Sequence, residues 1–327
     1  QQLKNFKKAL QHHESAIFEA LQADFRKSNF ETYATELGII YDEVNCMLKH
    51  VKKWATPELV KDSIVNFPSR NYIYHDPYGV CLIIGAWNYP LQLTLAPVVG
   101  AIAAGNTCII KPPRAAIHTY HIIEKIISDT FNDNYIAVLD EHSDNAEMLA
   151  HRYDYIFFTG GVEIGRTIAR AAAEFLTPTT LELGGKSPCI VDKHADIEVA
   201  ARRIAWGKYL NGGQTCVAPD YLLLHESVKE KFYKAFTKTV KEFYGNNPQD
   251  SADYPRIIND RHFKRIAAMI TDGNIIVGGK TDAETRYISP TLIEIDSLAH
   301  PLMNDEIFGP VLPVLTINSI DDAIHII

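Results

Sequence analysis

Short apolar runs that alternate with helical stretches constrain the fold of this chain more than any other feature. After residue 78 the sequence contains GVCLIIGAW, NTCIIK, NYIAVLD and DYIFFTG, with stretches such as IHTYHIIEKIISDTF between them. Apolar runs of this length suit buried strands, and a helix between successive strands is typical of βαβ crossovers in a parallel sheet. The pattern predicts an α/β fold with a doubly wound nucleotide-binding layout.

The chain continues with a second series of apolar runs, TLELGG, SPCIVD, DYLLLH, NIIVGG and PVLPVLTI, again separated by helical stretches. We therefore expect two doubly wound domains, residues 1–183 and residues 184–327, which fits 327 residues at roughly 150 per domain. Residues 1–55 carry apolar side chains at helical spacing and predict long amphipathic helices. The segment SIVNFPSRNYIYHDP predicts a small β-hairpin arm at residues 63–76.

Composition and charge exclude several classes of protein. The chain is 46% hydrophobic and 22% charged, as in ordinary globular proteins, and no apolar run approaches the ~20 residues that span a bilayer. It carries 32 basic and 40 acidic residues, a net charge of −8, so we expect neither a nucleic-acid partner nor a membrane contact. Five cysteines without a C-x-x-C pair indicate a reducing, cytoplasmic location. The last residues, IDDAIHII, begin a helix without a stop signal, so we expect a C-terminal truncation.

Cys216 lies in the segment NGGQTCVAPD, between a pair of glycines and a proline. Such a sequence bends the backbone and would present the thiol to a ligand. An isolated cysteine is, however, more often a small buried hydrophobic residue, and the segment alone does not decide between the two.

Three further segments carry candidate functional groups. Glu182 lies in the run TLELGG, shortly before Gly184 and Gly185 break the strand; ligands bind at such strand ends in parallel sheets, although an exposed strand-end acid has the same pattern. Asn88 in IIGAWNYP follows a strand, and its amide suits either a developing oxyanion or a plain turn. In FFTGGVEIG, Gly160, Gly161 and Gly165 lead into a helix whose N-terminus would suit a phosphate, but the spacing is not the G-x-G-x-x-G fingerprint.

Other catalytic patterns are missing from the sequence. There is no H-E-x-x-H and no C-x-x-C, so we expect no metal site. No G-x-S-x-G follows any of the apolar runs, which argues against a serine hydrolase.

Taken together and in order, WNYP, FTGGVEIG, LELGGKSP, NGGQTC and EIFGP resemble the NAD(P)-dependent aldehyde dehydrogenase superfamily. IIGAWNYP and RRIAWGKYLNGGQTC resemble most its branch acting on medium-chain, fatty and aromatic aldehydes. The resemblance implies a Rossmann-like cofactor domain in residues 1–183, a catalytic domain in residues 184–327, and an arm at 63–76 that serves oligomerisation. It implies NAD or NADP as cofactor, a small-molecule aldehyde as substrate and a homodimer or higher homo-oligomer.

The resemblance also assigns roles to residues of this sequence. They are Cys216 as nucleophile, Glu182 as general base, Asn88 as oxyanion donor, and Trp87, Lys111, Arg114, Gly160, Gly161, Gly165, Glu306 and Phe308 as cofactor-binding residues. These types suit the chemistry, because a thiolate must add to an aldehyde before hydride can leave, and a base must then hydrolyse the thioester. Two other classes remain as alternatives, a non-catalytic relative and a thioester- or ester-hydrolysing one.

Two positions depart from the usual family pattern. In KPPRAAIHT, Arg114 stands where relatives usually carry a glutamate. A carboxylate there would repel a 2′-phosphate, whereas an arginine could pair with it, so the use of NADP becomes more plausible unless Arg114 simply points to solvent. Gly161 stands where a serine is common, which removes one hydroxyl from the phosphate site but no backbone donor.

Overall fold

The computed structural model describes residues 1–61, 63–270 and 273–327, and the chain divides into two compact units. The first unit comprises Gln1–Ala20 and Thr32–Glu182, and the second comprises Leu21–Glu31 and Leu183–Ile327. The short segment 21–31 belongs to the second unit because its backbone is bonded there. The amide of Arg256 donates to the carbonyl oxygen of Phe25 over 2.7 Å, and the Arg26 guanidinium donates to the carbonyl oxygen of Gln249 over 2.8 Å.

The N-terminal residues form helices, as their apolar spacing predicts. Their bounds are α1 (Gln2–His12), α2 (Glu14–Phe25), α3 (Asn29–Thr32) and α4 (Gly38–Trp54), with a π-helical turn at Tyr33–Leu37. In α1 the residues Leu3, Phe6 and Leu10 are buried, which is the face that the three- and four-residue spacing marks as apolar.

A two-stranded hairpin and a five-stranded sheet follow in the first unit. The hairpin strands are β1 (Glu58–Val60) and β2 (Asn71–Ile73), and the sheet strands are β3 (Val80–Ile84), β4 (Thr107–Lys111), β5 (Ile136–Val138), β6 (Tyr155–Thr159) and β7 (Thr179–Glu182). The helices among the sheet strands are α5 (Pro90–Ala104), α6 (Ile117–Thr130), α7 (Asn145–Ala150) and α8 (Val162–Glu174).

The five strands of this sheet are parallel and run in the order β5-β4-β3-β6-β7. The chain builds outward from β3 in one direction and then resumes on the other side of β3 with β6. This reversal between β3 and β6 is the switch point at which doubly wound sheets bind their ligands. The predicted doubly wound layout is therefore confirmed.

Two details of the first unit differ from the sequence prediction. The run TLELGG was expected to open the second series of strands, but β7 pairs with β6 in the first sheet, with Leu181 opposite Phe158. An apolar run shows that a strand is buried without showing which sheet buries it. The hairpin is present, but its first strand lies at Glu58–Val60, before the arm expected at residues 63–76, because the run ELV is too short to show an alternating pattern.

The second unit holds another five-stranded sheet and a small hairpin. Its strands are β8 (Pro188–Val191), β9 (Tyr221–His225), β10 (Asn274–Val277), β11 (Thr281–Asp282), β12 (Tyr287–Ile288), β13 (Thr291–Glu294) and β14 (Val311–Ile317). Its helices are α9 (Ile197–Tyr209), α10 (Lys229–Tyr244), α11 (Asp260–Ala267) and α12 (Ile320–Ile326). The sequence analysis did not identify β11, β12 or β13.

The second sheet is buried on both faces. Its order is β10-β13-β14-β9-β8, parallel except for the antiparallel edge strand β10. Along β9, Leu222 and Leu224 pack into the core that contains α9 and α10, whereas Tyr221 and Leu223 pack into the core that contains α11. Alternate residues of one strand thus pack into two hydrophobic cores, one on each face of the sheet, as expected for an α/β layer structure. Among the described residues, no helix combines the length and apolar character needed to cross a membrane.

Candidate active site

The turn that follows β3 carries Asn88 and leads into α5. The side chain of Asn88 is buried, at 3% exposure. On the helix side of the turn, the amides of Leu91 and Gln92 donate to the carboxylate of Glu36 over 2.9 and 3.3 Å, and Glu36 itself is 0% exposed. A carboxylate is stabilised at a helix N-terminus because it meets unpaired amides and the positive end of the helix dipole. Glu36 therefore caps α5 at amides three and four residues after Asn88.

The turn that follows β6 lies beside the Asn88 turn in the same sheet. Ile84 of β3 is opposite Phe158 of β6, so the two turns leave adjacent strand ends at the switch point. The amide of Gly160 donates to the carbonyl oxygen of Glu182 over 3.0 Å, which joins the end of β7 to this edge. Glu182 is exposed there. The first unit thus brings Asn88, Gly160 and Glu182 to the edge at which such sheets bind ligands.

The start of α8 suits a phosphate. Gly161 is the N-cap of this 13-residue helix, and a Cβ atom at Gly161 would meet no other atom within 4 Å. Gly165 is buried on the helix face. Within the described part of the chain, the hydroxyl of Thr159 at the end of β6 is buried and has no hydrogen-bond partner. An open helix N-terminus beside an unpaired hydroxyl fits the pyrophosphate of NAD(P), whose binding the resemblance implies.

Lys111 and Arg114 meet at one carbonyl group beyond the end of β4. The ammonium of Lys111 donates to the side chain of Asn145 and to the carbonyl oxygen of Ser143, and the guanidinium of Arg114 donates to the same carbonyl oxygen. Burial and the positive charge of Arg114 lower the pKa of Lys111. Two cations at one carbonyl group form a positive site that suits an anionic ligand, although Arg114 is an exposed residue. Trp87 lies in the turn before Asn88, in the same unit.

Cys216 lies in the second unit at the end of an irregular loop, residues 210–216, which we call the nucleophile loop. Helix α9 ends at Tyr209. In the loop that follows, Asn211, Gly212 and Gly213 have φ angles of 53°, 61° and 73°. This left-handed region costs little for glycine and is strained for most other residues. A Cβ atom at Gly213 would also collide with the backbone of Gly309, in the EIFGP motif.

Gln214 holds the nucleophile loop from inside. It is fully buried, and its side-chain nitrogen donates to the carbonyl oxygens of Asn211 and Arg256 over 2.9 and 3.2 Å. Its side-chain oxygen accepts from the amide of Ile258 over 3.0 Å. The sequence analysis did not single out Gln214, although it lies within NGGQTC. Two residues later, Cys216 is exposed.

The three cysteines that lie in sheet strands, Cys81, Cys108 and Cys189, are less exposed than Cys216. Cys81 and Cys108 are buried, and burial raises the pKa of their thiols to about 11 and about 12. A thiol with such a pKa is not a nucleophile near neutral pH. Cys216 therefore has the accessibility that a reacting thiol needs.

Glu306 contacts the turn that follows β7. Its carboxylate accepts from the amide of Gly185 over 3.3 Å, and a Cβ atom at Gly184 would collide with it. Burial raises the pKa of Glu306. An ion pair fixes the neighbouring backbone, because Lys186 contacts Asp220 over 2.5 Å and Asp220 accepts from the amide of Ile307 over 3.0 Å. The sequence analysis missed this pair, although Lys186 lies within LELGGKSP.

The structure therefore describes two groups of site residues, one in each unit. The second unit carries Cys216 with Glu306 and with Phe308, whose φ is 50°. The first unit carries the other predicted positions, Trp87, Asn88, Lys111, Arg114, Gly160, Gly161, Gly165 and Glu182. Across residues 1–61, 63–270 and 273–327, no group of three or more His, Cys, Asp or Glu side chains is arranged to hold a metal ion.

Comparison with known proteins places these motifs in a family. A model described as the aldehyde dehydrogenase family matches residues 1–327. The chain is 46% identical over 330 residues to the 4,4'-diaponeurosporen-aldehyde dehydrogenase of Staphylococcus aureus (strain NCTC 8325 / PS 47), covering 100% of this chain and 72% of that protein. It is 42% identical over 329 residues to the Canis lupus familiaris protein named "Aldehyde dehydrogenase, dimeric NADP-preferring", with the same 100% and 72% coverage.

A solved structure shows the same fold. The substrate-bound state of Staphylococcus aureus AldH matches with a TM-score of 0.96 and 45% sequence identity, over 100% of this chain and 72% of that chain. The resemblance carried by the five motifs is thereby confirmed. The chain belongs to the aldehyde dehydrogenase family, whose members are enzymes that oxidise aldehydes with NAD(P).

Proposed function

We propose that this protein oxidises medium- or long-chain aliphatic or aromatic aldehydes to carboxylic acids with NAD(P)⁺, through a covalent adduct on Cys216. The observation that carries the proposal is the exposed thiol at the end of the nucleophile loop, whose left-handed backbone is fixed by the buried Gln214. The substrate class is supported by the name of the Staphylococcus aureus relative, which acts on a diaponeurosporen-aldehyde.

The reaction begins when the thiolate of Cys216 adds to the aldehyde carbon. A sulfur–carbon bond forms, and the electron pair of the carbonyl bond moves to oxygen. The side-chain amide of Asn88 and the backbone amide of Cys216 donate to that oxyanion, and one such donor is typically worth ~2.7–4 kcal/mol of barrier. When bound, NAD(P)⁺ supplies the acceptor for the hydride that leaves the same carbon, so that a thioester remains on Cys216.

Glu182 completes the cycle by removing a proton from water. The hydroxide adds to the thioester carbon, the carbon–sulfur bond breaks, and Cys216 leaves as a thiolate with release of the acid. A relative that passed the acyl group to coenzyme A would need no base at this position. We therefore expect Glu182→Gln to keep the first burst of NAD(P)H and to lose steady-state turnover. An unchanged steady-state rate in this variant would contradict the role of Glu182.

The geometry of each unit supports the cofactor-binding residues that we propose. The turn of Gly160 and Gly161, with Gly165 on the helix face, would bind the pyrophosphate, and Lys111 and Arg114 would bind the ribose that carries the adenine. Trp87 belongs to the same group of cofactor-binding residues. Glu306 and Phe308 would contact the nicotinamide end.

We further propose that Arg114 lets the enzyme accept NADP as well as NAD. Its guanidinium lies beside Lys111 at the Ser143 carbonyl group, where a 2′-phosphate would find two positive charges. The dog relative is named NADP-preferring. Arg114→Glu should raise the KM for NADP at least tenfold and leave the KM for NAD within about twofold, since the phosphate is the only group that differs. Equal effects on both cofactors would defeat this assignment.

The hairpin arm supports a homodimer or higher homo-oligomer. Ile64, Val65 and Phe67 are 91%, 86% and 81% exposed, which is unusual for three large apolar side chains in one short segment. A partner chain would cover them, and the dog relative is named dimeric. Light scattering on a triple serine variant at these positions should then give a smaller mass than the unmodified protein.

The free thiols of all five cysteines fit a reducing, cytoplasmic location.

The decisive test measures NAD(P)H absorbance with a panel of aldehydes, each with NAD and with NADP, beside Cys216→Ala. Signal that depends on Cys216 would establish the redox reaction and rank the chain lengths. Thiol-dependent hydrolysis of esters without any NAD(P)H would favour the hydrolase alternative. Silence with aldehydes and esters would favour the non-catalytic alternative.

A further inference from the structure

A buried carboxylate from the N-terminal helices contacts the nucleophile loop. Glu31 lies in α3, 180 residues before Asn211 in sequence, and is only 5% exposed. Its carboxylate accepts a hydrogen bond from the backbone amide of Asn211 over 2.7 Å. Both residues belong to the second unit. A charged acceptor at this distance makes one of the stronger hydrogen bonds found in proteins.

The residue that Glu31 holds is the point at which the nucleophile loop takes its unusual course. Leu210, the C-cap of α9, has φ −54° and ψ 134°, and Asn211 then enters the left-handed region at φ 53°. Asparagine enters the left-handed region more readily than most non-glycine residues, but the state still costs free energy, which a contact such as the Glu31 bond offsets. A loop that starts in another direction would deliver Cys216 to another position five residues later.

The same N-terminal segment also supports the other side of the loop. The carbonyl oxygen of Phe25 accepts from the amide of Arg256, and the carbonyl oxygen of Arg256 accepts from the side chain of Gln214. Residues 21–31 therefore reach the nucleophile loop by two routes, directly at Asn211 and through Arg256 at Gln214.

We propose that Glu31 is a positioning residue for the nucleophile: its bond to the Asn211 amide fixes the left-handed entry of the loop and thereby the place of the Cys216 thiol. The proposal rests on the proposed function only in taking Cys216 as the nucleophile. Glu31 touches neither substrate nor cofactor in this scheme and acts through the backbone. A displacement of a reacting atom by about 1 Å commonly costs up to 100-fold in rate, which is the scale of effect open to such a residue.

The test compares four variants of the full chain. Glu31→Ala removes the acceptor, Glu31→Asp withdraws it by one methylene, and Glu31→Gln keeps an oxygen at the same reach. Glu19→Ala is the matched control, because it removes the same charge from an exposed position of α2. For each variant we would follow the burst of p-nitrophenol from p-nitrophenyl acetate, which reports acylation of Cys216 without any cofactor, and amide hydrogen exchange of the peptide covering residues 209–217.

We expect Glu31→Ala and Glu31→Asp to lower the burst rate constant about tenfold with an unchanged burst amplitude. Exchange of the 209–217 peptide should rise in these two variants while other peptides keep their rates. Glu31→Gln and Glu19→Ala should stay within about twofold of the unmodified protein. The amplitude matters because a merely destabilised protein would lose active molecules, and hence amplitude, at an unchanged rate constant.

Wild-type burst rates in both Glu31→Ala and Glu31→Asp would overturn the proposal, as would a loss of amplitude alone. If Glu31→Ala does not fold, Glu31→Asp and Glu31→Gln still provide the comparison.

The wild-type protein separates this proposal from the proposed function. A Cys216-dependent ester burst without NAD(P)H formation would mean that the dehydrogenase proposal fails, while the role of Glu31 can still be measured. If the wild type shows no burst, loop exchange decides: faster exchange in Glu31→Asp but not in Glu31→Gln supports the proposal, and equal exchange overturns it.

Discussion

The turn that carries Asn88 and the loop that carries Cys216 are built in opposite ways. The Asn88 turn connects a buried strand to a regular helix, and one carboxylate, Glu36, caps the first amides of that helix. The nucleophile loop takes consecutive left-handed residues and is held by side chains, Gln214 and Glu31, that bond to its backbone. A regular element thus brings its own geometry, whereas an irregular loop takes its geometry from distant parts of the chain.

The sharpest test of this contrast exchanges one glycine in the nucleophile loop and one in the turn after β6, which, like the Asn88 turn, connects a strand to a regular helix. Gly213→Ala places a Cβ atom in the left-handed region and against the Gly309 backbone, so it should cost about 1–2 kcal/mol of backbone strain and a further ~1–3 kcal/mol of overpacking. Gly161→Ala, at φ −73° with open space around its Cβ, should cost at most about 1 kcal/mol. Urea unfolding of both variants gives the two free energies. Equal losses would show that the two turns do not differ as described.

Removal of Asn88, the proposed oxyanion donor, should affect rate rather than fold. We expect Asn88→Ala to lower the rate constant of the ester burst by about 100- to 1000-fold, which corresponds to ~2.7–4 kcal/mol for one lost donor. Alkylation of Cys216, measured by mass spectrometry, should continue in this variant, because the nucleophile loop is intact. If Asn88→Ala acylates at the wild-type rate, Asn88 is a turn residue and not an oxyanion donor.

Loss of the Glu36 cap on α5 should lower the free energy of unfolding with little effect on the burst rate constant, the reverse of what we expect for loss of Glu31. Glu36→Ala leaves the amides of Leu91 and Gln92 buried without their acceptor, at a cost of about 1–3 kcal/mol in the free energy of unfolding. The helix keeps its other hydrogen bonds, so the burst rate constant should fall less than threefold. Glu36→Gln keeps an acceptor and should recover most of the stability. A tenfold loss of rate in Glu36→Ala would mean that both regions depend on outside support to the same degree.

The smallest expected effect concerns Lys208, in the last turn of α9 before the nucleophile loop. Its ammonium nitrogen is buried, and no hydrogen-bond partner for it lies in the described part of the chain. Burial lowers its pKa to about 8 from an ordinary value of 10.5. Between these values the unfolded chain binds a proton that the folded chain does not, so the free energy of unfolding should rise with pH through this window.

This pH dependence can be isolated by substitution. In the unmodified protein, Lys208 should contribute to a rise of the urea midpoint between about pH 8 and pH 10.5. Lys208→Met should lack this contribution, whereas Lys231→Met, at an exposed position of α10, should keep it. The same slope in both variants would exclude Lys208 as its source. A change of slope would show that the helix leading into the nucleophile loop carries a buried amine that is neutral above about pH 8.

The sequence predicts the first region much better than the second. β3 and α5 follow from an apolar run and a proline at the start of a helix, and the place of Asn88 between them follows from the strand-to-helix change. The nucleophile loop was recognised from its glycines, but Glu31 gave no signal. A glutamate in an amphipathic helix is typical of a solvent-exposed face, and nothing local shows that its partner lies 180 residues away.

The same limit explains the other misses. Lys208 resembles an ordinary lysine at the polar face of a helix, yet it is buried. β10 was predicted from its apolar run, but its antiparallel direction and its neighbour β13 were not, because apolar runs do not record which segments pair. Glu36 is one of several acids in the N-terminal helices, and only the packing of α5 distinguishes it from them.

The assignment of residues 21–31 to the second unit has a consequence for how the protein is made. Glu31 leaves the ribosome 180 residues before Asn211, which at ~5–20 residues per second is roughly 9–36 s. During that interval neither Asn211 nor Arg256 has been made, so the two hydrogen bonds that join this segment to them cannot form. The nascent chain must keep this segment available until Arg256 has been added, so Cys216 acquires its final setting only late in synthesis.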